Sequence, residues 1–302
     1  MNARNHLRTE AAEDRGAAAD ASPRARRVLI VIESEGAVFD TLARQHETGY
    51  IPAFAGCFSW GLSPAACAEL WRRLALSSRL RGQEPSLILL SALRLLNRSS
   101  PSIRRAAVIK VLESWLASPA KDPLVLAKAP AGSPERLILD WMTMSASLLE
   151  EESYAPAFPA ALAFLRGVKA AAPGSEILVH STLPEATALN QWEVAGIGDC
   201  FLRIAGAERG DFAAYLRAAL RNGYDRGPIL VIGSTGASWQ AAQSVGARFY
   251  AITPRGEDES WDFLSEHFFP AFLRGETALA ERDSTGFMRM MLEDIESAAV
   301  LA

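Results

Sequence analysis

The chain has 302 residues, 49% of them hydrophobic, and a formal net charge of −4 at neutral pH. That length suits one large domain or a core with an inserted subdomain, and the apolar content is ample for a buried core. A pI near 5.7 gives no reason to expect a nucleic-acid partner, and no apolar stretch reaches the length of a membrane span.

Residues 1–26 are rich in Ala and Arg but also carry Glu10, Glu13, Asp14 and Asp20. They lack the apolar centre of a secretory signal, and the acids argue against a transit peptide, so a disordered, solvated tail is predicted. Cys57, Cys67 and Cys200 lack metal-ligand spacing and read as free thiols in a reducing, cytoplasmic setting.

Val28–Ile32 is a run of β-favouring apolar residues that leads straight into Glu33, Ser34, Glu35 and Gly36. Ligands of an open α/β sheet bind beyond the C-terminal ends of its strands. Acids at i and i+2 leave a strand on the same side, so Glu33 and Glu35 can face one ligand. Residues 44–159 then carry amphipathic helical patterns over Ser63–Leu76, Ser86–Leu96, Ser102–Leu116 and Pro134–Leu149, with Pro52, Pro85, Pro123, Pro130 and Pro156 marking breaks or starts. A crossover needs only about a dozen residues, so this interval is predicted to form an all-helical cap.

Further strands are predicted at Glu176–His180, Ile229–Ile232 and Arg248–Ile252, with a weaker one at Cys200–Ile204. Helical segments at Leu183–Ala195, Asp211–Asn222 and Ala237–Val245 separate them, and two more follow at Trp261–Leu273 and Gly286–Ala299. Alternation of this kind predicts a doubly wound parallel sheet. The expected organisation is a tail at 1–26, an α/β core from 27–43 and 160–302, and a helical cap at 44–159.

Glu33-Ser34-Glu35-Gly36, with Asp40 beyond it, resembles the first motif of the haloacid dehalogenase-like (HAD-like) superfamily, Asp-x-Asp-Gly-x-x-x-Asp, with both functional aspartates lengthened to glutamate. Ser181 matches the second motif, Phe212 stands at the lysine position of the third, and Gly233-Ser234-Thr235-Gly236-Ala237-Ser238 matches the fourth. Residues His46–Phe54, Ser77–Gly82 and Trp261 are similar to a bacterial branch of that superfamily with a large helical cap. The resemblance implies a Rossmannoid core and phosphatase-class chemistry. There, the first acid attacks phosphorus beside Mg²⁺ and the second transfers protons.

Each motif departs from that chemistry. Glu33 carries its carboxylate ~1.5 Å farther out, one bond length, where a shift of about 1 Å costs roughly a hundredfold. Glu35 can still act as a general acid or base. Phe212 cannot neutralise a phosphoryl group, leaving Arg209 or Arg203 as substitutes. Ser234 and Ser238 replace the acids that hold Mg²⁺, so no cofactor is expected, and Mg²⁺ only if activity persists. Gly36, Ser181, Thr182 and Arg209 are the expected ligand-binding positions, for a small anionic or phosphorylated ligand. Without the resemblance, Glu33 and Glu35 read equally as solvated carboxylates at a strand end, Ser181 as a helix cap and His180 as a packed side chain. Asp40 is expected to cap or brace the turn.

The expected function is a catalytically impaired pseudo-phosphatase with a residual anion-binding cleft under its cap. The alternative is a slow or re-purposed phosphate-ester hydrolase working through Glu33 and Glu35. A third reading, an interaction protein using the cap face or tail, rests on the tail's composition alone.

Overall fold

The computed structural model describes residues 28–150, 155–221, 228–276, 286–287 and 289–291. The tail at 1–26 and most of the helix expected at Gly286–Ala299 lie outside the described residues.

Five parallel strands form one sheet: β1 (Leu29–Glu33), β2 (Glu176–His180), β3 (Arg203–Ala205), β4 (Ile229–Gly233) and β5 (Arg248–Ala251). Their order is β3-β2-β1-β4-β5. β1 is central, with β2 on one side and β4 on the other, so the topological switch lies at its C-terminal end. Register aligns Glu33 with His180, His180 with Ala205, and Gly233 with Ala251 along that edge.

Both faces of the sheet are covered, which is why its strands read as continuous apolar runs. Ile30 and Ile32 pack with α8 (Pro159–Ala171), α9 (Glu185–Val194) and α12 (Glu257–Phe263). Leu29 and Val31 pack on the opposite side with α10 (Phe212–Ala219) and α11 (Gly236–Ser244). A π-helical turn joins α12 to α13 (Phe269–Arg274), the region expected as a single helix from Trp261.

The expected strand at Cys200–Ile204 begins later. Gly198–Cys200 is a 3₁₀ turn, and only Arg203–Ala205 joins the edge of the sheet. Helix α8 was not anticipated, although Pro159 starts it in the position where a missing N–H costs nothing.

Between β1 and α8 the described residues form seven α-helices: α1 (Thr41–Gln45), α2 (Ile51–Phe58), α3 (Pro64–Leu76), α4 (Pro85–Ser99), α5 (Ile103–Ala117), α6 (Pro123–Ala127) and α7 (Pro134–Glu150). Side chains from Ile51 to Trp141 build a separate hydrophobic cluster around Phe54, Trp71 and Trp141. Ser63, Ser102 and Asp122 cap α3, α5 and α6 by accepting from Ala66 N, Arg105 N and Leu124 N. Pro52 did not break the chain: it lies in the first turn of α2, and the π-helical turn His46–Tyr50 links α1 to α2.

The two crossings between helical insert and core are stitched together. Asp40 N donates to Pro156 O (3.0 Å) and Phe158 N to Val38 O (2.9 Å). The turn at 34–40 is braced from the core by Trp192 Nε1, which donates to Ser34 Oγ (3.0 Å), and by Trp261 Nε1, which donates to Ala37 O (2.7 Å). Of the two roles expected for Asp40, its side chain does not cap α1. Its backbone holds the crossing, while burial raises its carboxyl pKa against the pull of Arg44 and Arg81.

Candidate functional site

The sheet edge and the helical insert enclose a cleft of about 300 Å³. Glu33, Glu35, His180, Thr182, Phe212 and Thr235 border it from the core, and His46, Tyr50, Gly82 and Glu84 from the insert. Sequence positions more than 200 residues apart therefore meet at one place because parallel strands bring their C-terminal ends to one edge.

The two glutamates diverge. Glu33 turns toward the loop between β4 and α11. Its Oε2 accepts from Ser234 N (2.6 Å), and its Oε1 accepts from the Thr235 hydroxyl. The Ser238 hydroxyl lies 3.2 Å from Glu33 Oε2 and 2.9 Å from Thr235 O and shares its hydrogen between them. Thr235 and Ser238 also form a capping box at the start of α11. Burial raises the Glu33 pKa, while the bonds from Thr235, Ser234 and Ser238 and the charge of Arg81 pull it back down.

Glu35 turns the other way. Its Oε1 accepts from Ser181 Oγ (2.7 Å), and its Oε2 accepts from Thr182 N (2.6 Å) and Thr182 Oγ1 (2.9 Å). Ser181 is fully buried, and Glu35 is only 3% exposed. The hydroxyls and amide expected to receive a ligand's oxygens thus surround a carboxylate of the chain itself. Ser181 Oγ additionally accepts from Leu183 N (3.0 Å), a local turn ahead of α9, but it does not cap that helix, whose N-cap is Pro184.

This donor set does not fit Mg²⁺. A hard cation needs several converging oxygen lone pairs. Around Glu33, Ser234 N–H and the hydroxyls of Thr235 and Ser238 instead direct hydrogens at its carboxylate. Among the described residues, no group of three or more His, Cys, Asp or Glu side chains is disposed to hold a metal ion.

Phe212 borders the cleft at the expected lysine position, its ring 4.7 Å from that of His180. His180 Nε2 lies 3.2 Å from Gly210 O, and burial lowers the ring's pKa, so the imidazole is packed and its charged form disfavoured. The arginines do not compensate for the missing lysine. Arg209 is exposed and paired with Glu185 (3.0 Å), and with Arg203 it borders a separate hollow of about 170 Å³ against α10. Neither arginine borders the cleft. Gly36 adopts φ +77°, and its carbonyl accepts from Arg81. Among the described residues that border the cleft there is no Lys or Arg, whereas Glu33, Glu35, Glu84 and Asp211 all do.

The sequence reading missed two participants. Thr235 was passed over, although Thr235-x-x-Ser238 ahead of a helix is a capping signal. Arg81 was noted only as a point of similarity outside the site. It is 2% exposed and reaches the core beside both glutamates. His46 likewise belongs to the cleft wall, where its Nδ1 accepts from Trp71 Nε1 (3.1 Å).

No protein-family model matches the sequence, and no curated protein matches it. Solved structures do. A predicted phosphoglycolate phosphatase from Haemophilus somnus is 13% identical with a TM-score of 0.44, covering 82% of this chain and 97% of that one. A haloacid dehalogenase-like family hydrolase from Xanthomonas campestris is 15% identical with a TM-score of 0.43, covering 87% and 97%. A haloacid dehalogenase-like family protein from Streptococcus pneumoniae is 14% identical with a TM-score of 0.41, covering 78% and 90%. The sheet order and the helical insert after β1 define the class: a doubly wound α/β protein with a helical insert over the C-terminal edge of its sheet. No helix among the described residues is long and apolar enough to cross a membrane.

Proposed function

We propose that this chain is a HAD-like protein that has lost Mg²⁺-dependent phosphoryl transfer and retains the cleft under its cap as a binding site. One observation carries the reading: the donors at both strand ends are engaged by the chain's own carboxylates, Glu33 with Ser234 and Thr235, Glu35 with Ser181 and Thr182. A nucleophilic carboxylate needs a free oxygen aimed at the electrophile. Both oxygens of Glu33 are instead hydrogen-bond acceptors from the β4–α11 loop.

A phosphorylated ligand would have to displace Glu35 from Ser181 and Thr182 and enter a cleft bordered by four acids. That supports an uncharged or hydrogen-bond-donating ligand over the phosphorylated one anticipated from the sequence. The experiment is calorimetric titration with Mg²⁺, paired with phosphatase assays on aryl and sugar phosphates with and without the ion. Neither binding nor turnover is expected. Mg²⁺-dependent turnover abolished by Glu33→Ala would overturn the proposal. Both glutamates do border the cleft, so turnover that ignores chelators and falls in Glu35→Gln would establish the slow-hydrolase alternative.

A further inference from the structure

The loop between α3 and α4 carries a buried cation out of the cap and into the core. Arg81 Nε donates to Ser234 O (3.0 Å), Nη2 donates to Gly36 O (3.3 Å), and Nη1 donates to Leu76 O at the end of α3 at a longer 3.4 Å. Nη2 also lies 3.6 Å from Glu257 Oε1 at the start of α12. One guanidinium therefore joins the turn after β1, the loop after β4 and helix α12. These three core segments are far apart in sequence, and a planar fork with five donors is a side chain able to span them.

The neighbouring residue seats the same loop by shape. Gly82 has φ +73°, and a Cβ there would stand 2.4 Å from Thr235 Cγ2. The loop is also stiff: Ser78 Oγ donates to Leu74 O (2.5 Å), Arg81 N to Ser78 O (3.0 Å) and Gln83 N to Leu80 O (2.9 Å). A stiff loop bearing one buried charge, touching Ser234 and Thr235, which hold Glu33, and Gly36 next to Glu35, has the construction of a fastening. An arginine withdrawn from these partners would leave Ser234 O and Gly36 O without it and Glu257 without its counter-charge, so release is costly and all-or-none.

We propose that Arg81 and Gly82 form a clasp that fastens the cap to the core, and that the cleft opens only when Arg81 leaves Gly36, Ser234 and Glu257. The clasp is independent of whether the cleft retains chemistry. Opening of this kind belongs to the class of sub-global motions that amide exchange resolves.

The test is hydrogen–deuterium exchange on the full chain, comparing wild type with Arg81→Gln, Glu257→Gln and Gly82→Ala. Exchange should rise about tenfold or more in peptides covering residues 34–40, 78–84 and 233–237 for Arg81→Gln, with smaller rises in the same peptides for the other two variants. Peptides covering 88–96 in α4 and 176–180 in β2 should match wild type. Unchanged exchange at the three contact segments would overturn the clasp. So would a uniform rise over the whole chain, which would make Arg81 an ordinary part of the core. Should Arg81→Gln fail to fold, Glu257→Gln and Gly82→Ala decide the matter by the same localisation.

Discussion

Replacing Glu35 by alanine separates a carboxylate that holds the structure together from one kept for chemistry. Three donors converge on it: Ser181 Oγ at 2.7 Å, Thr182 N at 2.6 Å and Thr182 Oγ1 at 2.9 Å. Each hydrogen bond to a charged acceptor contributes roughly 1.5–3 kcal/mol, and a buried donor left unpaired carries its full desolvation cost. Water from the adjoining cleft can replace part of this at Thr182, which is exposed, but Ser181 is fully buried. The expected loss is therefore about 2–4 kcal/mol, below the simple sum because the three bonds share one acceptor group. Glu35→Gln should lose much less, roughly 0.5–1.5 kcal/mol, because its amide oxygen can face Thr182 N–H while the Ser181 hydroxyl turns to accept. Urea unfolding at pH 7, followed by tryptophan fluorescence and extrapolated linearly, measures both. Acids maintained for catalysis usually cost stability, so that neutral replacements stabilise the fold. Equal or greater stability of Glu35→Ala would therefore refute the structural role assigned here.

Two further outcomes follow from the same geometry. Burial lowers the His46 pKa from 6.5 to about 4; because the folded value is depressed, its stability contribution is full above pH 6.5 and is lost as pH falls toward 4. That window is worth about 3 kcal/mol, so wild type should lose that much more than His46→Gln between pH 7 and pH 4 in urea titrations; parallel profiles would contradict it. At Gly206 a Cβ would stand 2.2 Å from Glu185 N and 2.5 Å from its Cα, both backbone atoms that cannot give way. Gly206→Ala should destabilise by about 2–3 kcal/mol through overpacking alone, since its φ of −84° suits any residue; an unchanged melting temperature would count against the close approach of α9.

Much of the architecture was legible before any coordinates. Strands buried on both faces must be apolar throughout, and Glu176–His180 was read with the bounds it has in the structure. Ser63, Ser102 and Asp211 stand immediately before their helices, as caps must. The reading failed where local chemistry is ambiguous. The edge strand β3 is only three residues long and gives little pattern to read. The structure brings Glu33, Glu35, Ser181, Thr182, Phe212, Ser234 and Ser238 together at or beside the cleft and places Arg209 outside it; Arg81 and Thr235, which also meet there, were not singled out.

Sequence alone determined which residue types stand at the strand ends, because a parallel sheet delivers those positions to one edge whatever the side chains do. It could not determine where each side chain goes. Glu33 and Glu35 are two residues apart, yet one carboxylate binds a loop 201 residues away and the other a loop 146 residues away. Arg81 finds its partners 153 and 45 residues distant. Those choices follow from which buried donors need an acceptor once the elements are packed, a condition that exists only in the folded chain.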